Sequence, residues 1–285
     1  MTTTTNPRVI NDALHAELAQ RWLMPRARDA HKGDFGPMLL VGGDAGYSGA
    51  ILLAGETALR AGAGVTTVAC AELTAATLWL HRPELMALAV RQRADLMPAL
   101  SAARVAVIGP GLGLGAWAQM LWPTLAQAGP LQVLDADGLT WLAQNPQPHP
   151  ARILTPHPGE AARLLQCSVA EIQQDRIAAV HALQARYGGV VILKGAGSLI
   201  ADGLRCWQCS AGNPGMATAG MGDVLAGLIG ALLAQGLPLF EAAALGVSLH
   251  ARAGDMAAEG GERGLLASEL WLPLRRLLNP DMAVQ

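Results

Sequence analysis

Gly212 to Leu232 reads GNPGMATAGMGDVLAGLIGAL. Gly212, Gly215, Gly220 and Gly222 crowd its first half, a density that suits a backbone needing positive φ or close approach to a ligand. The second half has the look of an apolar helix. Asp223 is the only acid in the stretch and stands where that helix begins. A glycine-rich turn feeding a helix N-terminus aims unpaired N–H groups and the positive end of the macrodipole at one spot, which favours a phosphate. Asp223 then has two readings. It is either a first-turn acid that steadies the helix, or a general base that takes the proton of a hydroxyl attacking the phosphate.

Outward from this stretch, strands alternate with helices. A strand at Met38 to Val41, a helix at Ala50 to Ala61 and a strand at Val65 to Cys70 form a βαβ unit. Strands follow at Val105 to Ile108, Gln132 to Leu134, Arg152 to Leu154 and Val190 to Leu193, with helices at Ala116 to Ala128, Ala161 to Leu165 and Val169 to Tyr187. A hairpin runs through Ser198 to Cys209, and two apolar helices follow Gly222. The rhythm predicts an α/β fold with a central, mostly parallel sheet flanked by helices. Residues 1–27 read as a leader with one amphipathic helix, Asp12 to Trp22, and residues 28–285 as one domain.

Composition narrows the partners. With 52% hydrophobic and 15% charged residues the chain is globular, and a net charge of −2 offers no general attraction for nucleic acid or anionic membrane. The start lacks the regions of a secretory signal, and the longest apolar run, Val224 to Ala234, is shorter than the roughly 20 residues of a spanning helix. A cytoplasmic protein acting on small molecules is expected. Cys206 and Cys209 form a CxxC, but no second pair stands at zinc-finger spacing, so the four cysteines read as incidental thiols.

Five polar or glycine loops fall at strand carboxyl ends, where ligands gather in such sheets: VGGDAGYSGA, GPGLGLG, DADG, TPHPGE and KGAG. Gly111 to Ala116 matches GxGxxG/A, with Asp135 at ribose-binding distance, so a Rossmann fingerprint must be weighed. It lies deep in the chain after another βαβ unit, which weakens it. Lys194 is one of only two lysines and follows the apolar strand VVIL, so its ammonium reads either as an anion partner or as a solvated strand-end cation. His157 and Glu160 in TPHPGE read as site residues, or as a structural loop histidine and a first-turn helix acid. Asp135 and Asp137 read as paired acids, metal ligands or an Asx turn.

Asn213 to Leu225, NPGMATAGMGDVL, closely resembles the signature of the ADP- or ATP-dependent NAD(P)H-hydrate dehydratases of the ribokinase-like superfamily. From His31 to Ala258, six motifs stand in that family's order. The resemblance implies a ribokinase-like three-layer fold and a repair reaction that returns the S epimer of hydrated NADH or NADPH (NADHX, NADPHX) to the reduced dinucleotide. It implies Asp223 as catalytic base, with the N–H groups of Ala219, Gly220, Met221 and Gly222 as an anion hole. Ala50 in the GYSGA loop, Gly111 and Gly113 in GPGLG, His157 in TPHPGE and Asp223 would bind the hydrate. Lys194, Gly195, Ala196, Gly197, Ser198 and Gly222 would bind the nucleotide. Asn213 and Glu160 are implied at phosphate or metal, although no metal ligand set can be named.

His157 stands where sugar kinases of the superfamily carry asparagine, a departure that agrees with the dehydratases. ADP (or ATP) is the implied cosubstrate, with Mg²⁺, and the bacterial look of the chain favours ADP. A homo-oligomer (tetramer) and a separate hydrate epimerase, for which this chain has no room, are the implied partners. Lys32 and Asp34 in HKGDFG match a further family motif whose role the sequence does not disclose. Two rivals stand: a small-molecule kinase of hydroxymethylpyrimidine or thiazole type, and a non-catalytic nucleotide-binding module.

Overall fold

A computed structural model describes residues 6–280; residues 1–5 of the leader and 281–285 of the domain lie outside the described residues. The described strands are β1 (Arg8–Ile10), β2 (Pro37–Val41), β3 (Val65–Cys70), β4 (Met86–Ala89), β5 (Val105–Ile108), β6 (Leu131–Leu134), β7 (Arg152–Leu154), β8 (Val190–Leu193), β9 (Leu199–Ala201) and β10 (Cys206–Cys209). They form one sheet in the order β1-β10-β9-β8-β7-β6-β5-β2-β3-β4. Every pairing is parallel except the two that flank β9. The expected three-layer arrangement is observed, and its cause is visible in β2. Met38 and Leu40 point into one core while Leu39 and Val41 point into the other, so both faces demand cover.

The first face is covered by α1 (Asp12–Trp22), α2 (Ser48–Arg60), α10 (Met221–Ala234), α11 (Leu239–Ala257) and α12 (Trp271–Leu277). The second lies under α4 (Arg93–Ala102), α5 (Ala116–Leu125), α6 (Asp137–Gln144), α7 (Pro158–Leu165), α8 (Val169–Gln174) and α9 (Arg176–Tyr187), while α3 (Glu72–His81) packs near the β4 edge. Every residue of α10 from Val224 to Ala234 is buried, which explains a helix without a polar face. A Cβ at Gly227 would stand 2.1 Å from the Ala54 carbonyl oxygen of α2, so the two helices meet backbone to backbone there. Gly227→Ala is expected to cost about 1–3 kcal/mol by overpacking. A urea unfolding midpoint equal to the wild type would contradict that contact.

The structure departs from the sequence reading in several elements. The leader supplies β1, which pairs with β10, so it adds a strand to the same sheet. The segment between Cys70 and Val105 holds α3, β4 and α4. The helix expected over Val169 to Tyr187 breaks at Asp175, whose carboxylate accepts from Ala178 N at 2.9 Å and caps α9. DADG is not a free turn: it opens α6 through Ala136, held at φ 48°, a strained value for a residue with a Cβ. Arg152 is fully buried within β7 without a carboxylate partner among the described residues. Its guanidinium donates to Gln132 Oε1 at 2.8 Å and to the Ala126 and Gln147 carbonyls.

Candidate active site

The carboxyl ends of β6, β7 and β8 and the N-terminus of α10 surround a cleft of about 820 Å³. Gly220 caps α10 at φ 91°, and a Cβ there would lie 2.6 Å from Leu53 Cδ1, so this turn admits glycine alone. The first helical hydrogen bond runs from Val224 N to the Gly220 carbonyl at 3.0 Å, leaving the N–H groups of Met221, Gly222 and Asp223 without a helical partner. The preceding turn is clamped at both ends of Asn213. Its Oδ1 accepts from Gly215 N at 3.0 Å and its Nδ2 donates to Asp255 Oδ1 at 3.0 Å, while Asp255 Oδ2 accepts from Gly212 N at 2.9 Å.

Beside this turn lies a compact group of charges. Lys194 Nζ donates to Asp135 Oδ1 at 2.6 Å and stands 3.8 Å from Glu160 Oε2. Asp135 Oδ1 also accepts from Thr155 Oγ1 at 2.7 Å. A Cβ on Gly222 would be 3.2 Å from both Asp135 Oδ2 and Lys194 Nζ, which fixes the pair against the first turn of α10. His157 caps α7: its Nδ1 accepts from Gly159 N at 3.0 Å, and its Nε2 faces Glu160 Oε1 at 3.6 Å. Glu160 returns the contact, accepting from His157 N at 2.8 Å. This is a capping box in which histidine replaces the usual hydroxyl or carboxylate.

Burial, then the neighbouring Asp135 charge, pushes the Asp223 carboxyl up to about 7, although Lys194 opposes the shift. Burial likewise raises Glu160 to about 7 against the pull of Lys194. Burial alone would lower Lys194, yet Asp135, Glu160 and Asp223 together hold its ammonium above the ordinary lysine range. His157 is lowered by burial and by Lys194. Among the described residues nothing hydrogen-bonds the Asp223 carboxylate. A half-buried, unpaired acid poised near neutrality can exchange a proton with a bound hydroxyl, and the free N–H groups and Lys194 can hold anionic charge.

The cleft wall brings together His157, Glu160, Lys194, Gly195, Ala196, Gly197, Ser198, Asn213, Gly220, Met221, Gly222 and Asp223. Ala219 is exposed and is not part of that wall. Ala50, in the first turn of α2, and Gly111 and Gly113, in the loop after β5, cluster together outside that wall. A Cβ at Gly111 would meet the Tyr47 carbonyl oxygen at 2.5 Å and Ala50 Cβ at 3.4 Å. Asp137, which follows the lining residue Ala136, accepts from Gly113 N through Oδ2 at 2.8 Å. HKGDFG lies at the start of β2, the opposite end of the strand from the cleft.

Two residues, one beside the cleft and one lining it, escaped the sequence reading. Asp255 holds the glycine turn, and His250, buried in α11, lines the wall with burial lowering its pKa to about 4. The four cysteines are free, and no group of three His, Cys, Asp or Glu side chains able to hold a metal occurs among the described residues. No described helix is long and apolar enough to cross a membrane.

Solved structures share this architecture. A ribokinase-like superfamily protein from Enterococcus faecalis superposes with a TM-score of 0.88 at 31% identity, covering 96% of this chain and 95% of its own. The ADP/ATP-dependent NAD(P)H-hydrate dehydratase from Bacillus subtilis, co-crystallised with ATP/Mg²⁺, gives 0.84 at 29% identity, covering 97% and 99%. The fold is therefore that of the ribokinase-like superfamily.

Sequence comparison narrows the class. Residues 38–274 match the NAD(P)H-hydrate dehydratase family profile, and the chain belongs to that family. It is 52% identical over 261 residues to a bifunctional NAD(P)H-hydrate repair enzyme of Coxiella burnetii, covering 90% of this chain and 54% of the relative. The chain thus spans about half the length of the first curated relatives it matches. It is also 41% identical over 266 residues to the ADP-dependent (S)-NAD(P)H-hydrate dehydratase of Neisseria meningitidis, covering 89% and 88%.

Proposed function

We propose that this chain is a lyase that dehydrates the S epimer of NADHX and NADPHX to NADH and NADPH, with ADP or ATP as phosphoryl donor. The observation that carries the reading is the half-buried Asp223, without a hydrogen-bond partner among the described residues, at a helix N-terminus with free N–H groups, in the field of Lys194. Asp223 takes the proton of the C6 hydroxyl as its oxygen attacks the terminal phosphorus, and the bond to the nucleotide breaks, releasing AMP when ADP is the donor. The N–H groups of Met221 and Gly222, free at the start of α10, hold the developing charge, and exposed Ala219 stands outside this anion hole. The C6–O bond then breaks, inorganic phosphate departs with the ring nitrogen supplying electrons, and a proton leaves the adjacent ring carbon to restore the dihydropyridine. Phosphorylation converts hydroxide, a poor leaving group, into phosphate.

In this reading Lys194, Gly195, Ala196, Gly197, Ser198 and Gly222 hold the nucleotide, while Ala50, Gly111, Gly113 and His157 hold the hydrate. Asn213 serves by keeping the glycine turn. Mg²⁺ would neutralise nucleotide phosphates. The donor set suits an ion held mainly by phosphate oxygens with one or two carboxylates, because Asp135 is engaged by Lys194 and Thr155 and Glu160 by His157 N, and both Glu160 and Asp223 line the cleft. We place the chain in the cytoplasm on the ground of this substrate. A hydrate epimerase activity is its functional partner, since the Coxiella burnetii relative is named as a bifunctional NAD(P)H-hydrate repair enzyme. Exposed Leu73, Trp79 and Leu80 on α3 beside Met86 of the edge strand β4 support a homo-oligomer (tetramer). A monomer mass by light scattering would remove that part.

The pH dependence checks the assignment. Asp223 acts only when ionised, so kcat/KM is expected to rise about tenfold per pH unit below about 7 and to level above it. A profile flat across that region would rule out a base of this pKa.

A further inference from the structure

Behind the Lys194–Ser198 loop sits a cation outside the roles assigned above. Arg176 is the first residue of α9, and its guanidinium reaches four carbonyls of one short segment. Nη1 donates to Ala196 O at 2.9 Å and Nη2 to Leu193 O at 3.1 Å, with the Lys194 and Gly197 oxygens each at 3.4 Å from Nη2. A Cβ on Gly195 would lie 2.9 Å from Nη1, so the loop rests directly on the guanidinium plane. No carboxylate pairs with Arg176 among the described residues, and its Nε is buried without a partner.

We infer that Arg176 is a positioning residue for the nucleotide, holding the Lys194–Ser198 loop with its amide groups turned toward the phosphates of a nucleoside di- or triphosphate. A peptide unit is planar and trans, so a carbonyl drawn toward Arg176 sends the following N–H the opposite way. The Ala196 and Gly197 carbonyls are drawn inward; the N–H groups of Gly197 and Ser198, both on the cleft wall, therefore face outward, and neither has a backbone partner among the described residues. A lysine cannot do this, because one ammonium lacks the planar fork that meets several carbonyls at once. The guanidinium charge, uncompensated by a carboxylate, adds to the field of Lys194. This inference rests on the nucleotide reading of the same cleft.

Arg176→Ala is expected to raise the KM for ADP and the calorimetric Kd for ADP by about tenfold or more, the loss of a few charge-assisted hydrogen bonds. kcat at saturating ADP and the KM for the hydrate should stay within about twofold, and guanidinium ion added to the buffer should restore part of the ADP affinity. Arg176→Lys should recover less than half of the lost affinity on a logarithmic scale. An unchanged ADP Kd, or a fall in kcat with the ADP KM unchanged, would overturn the assignment. If Arg176→Ala fails to melt cooperatively, folded Arg176→Lys carries the test, and wild-type ADP affinity in it overturns the inference. Wild-type protein that binds ADP without dehydrating the hydrate would end the proposed function while leaving the calorimetric test of Arg176 in force.

Discussion

Asp223→Asn is expected to lower kcat by roughly 10²-fold or more, in the range of a lost general base, while the ADP Kd and the fold are retained. The amide matches the carboxylate in shape, and the carboxylate takes no hydrogen bond among the described residues, so no structural partner is stranded. Stability should move the other way from activity. The native pKa of about 7 lies above the 3.8 of an ordinary aspartate, so the folded state binds more protons in between. The cost of ionising Asp223 therefore appears as pH rises from about 4 to about 7. Asparagine removes that cost, and the variant should melt at or above the wild-type temperature at alkaline pH. Near-normal turnover in a folded variant would remove Asp223 from the chemistry.

Lys194→Ala should do two things at once. It removes an ammonium from the nucleotide pocket, which is expected to raise the ADP Kd by about tenfold or more. It also strands Asp135, whose residue is 2% exposed, at a cost of about 3 kcal/mol typical of a broken buried pair. Because Lys194 holds the Asp223 pKa down, its loss should shift the acid limb of the pH profile to higher pH. Calorimetry showing unchanged ADP binding would refute the nucleotide role, and an unmoved acid limb would refute the electrostatic link to Asp223.

Much of the fold was legible because both-face burial writes itself into sequence. VAVI and VVIL are continuous apolar runs bounded by glycine, and they became β5 and β8 at the expected residues. The missed elements lack that signature. RVI of β1 is three residues long with two exposed, and MALA of β4 is an edge strand half open to solvent. DADG reads as a turn because its helix start depends on Ala136 taking a strained φ, which propensity opposes.

The site was legible where several residues share one loop, as in GMGD and KGAG. It was illegible where a helix lends a single polar side chain from afar. Arg176, His250 and Asp255 each look like ordinary helix residues in sequence, and only the packing of α9 and α11 against the cleft gives them their places. His157 shows the reverse case: its loop was singled out, and the structure shows the side chain in the structural role, capping α7 through Gly159 N at the cleft wall.

The most direct test of the central claim is to add the protein and ADP, then separately ATP, to purified NADHX and follow the near-ultraviolet absorbance of the reduced nicotinamide. Growth of that band, with stoichiometric release of phosphate and of AMP when ADP is the donor, is the predicted result. No growth with either nucleotide, in protein shown by calorimetry to bind ADP, would contradict the dehydratase reading. A stable phosphorylated product in its place would mark the chain as a small-molecule kinase.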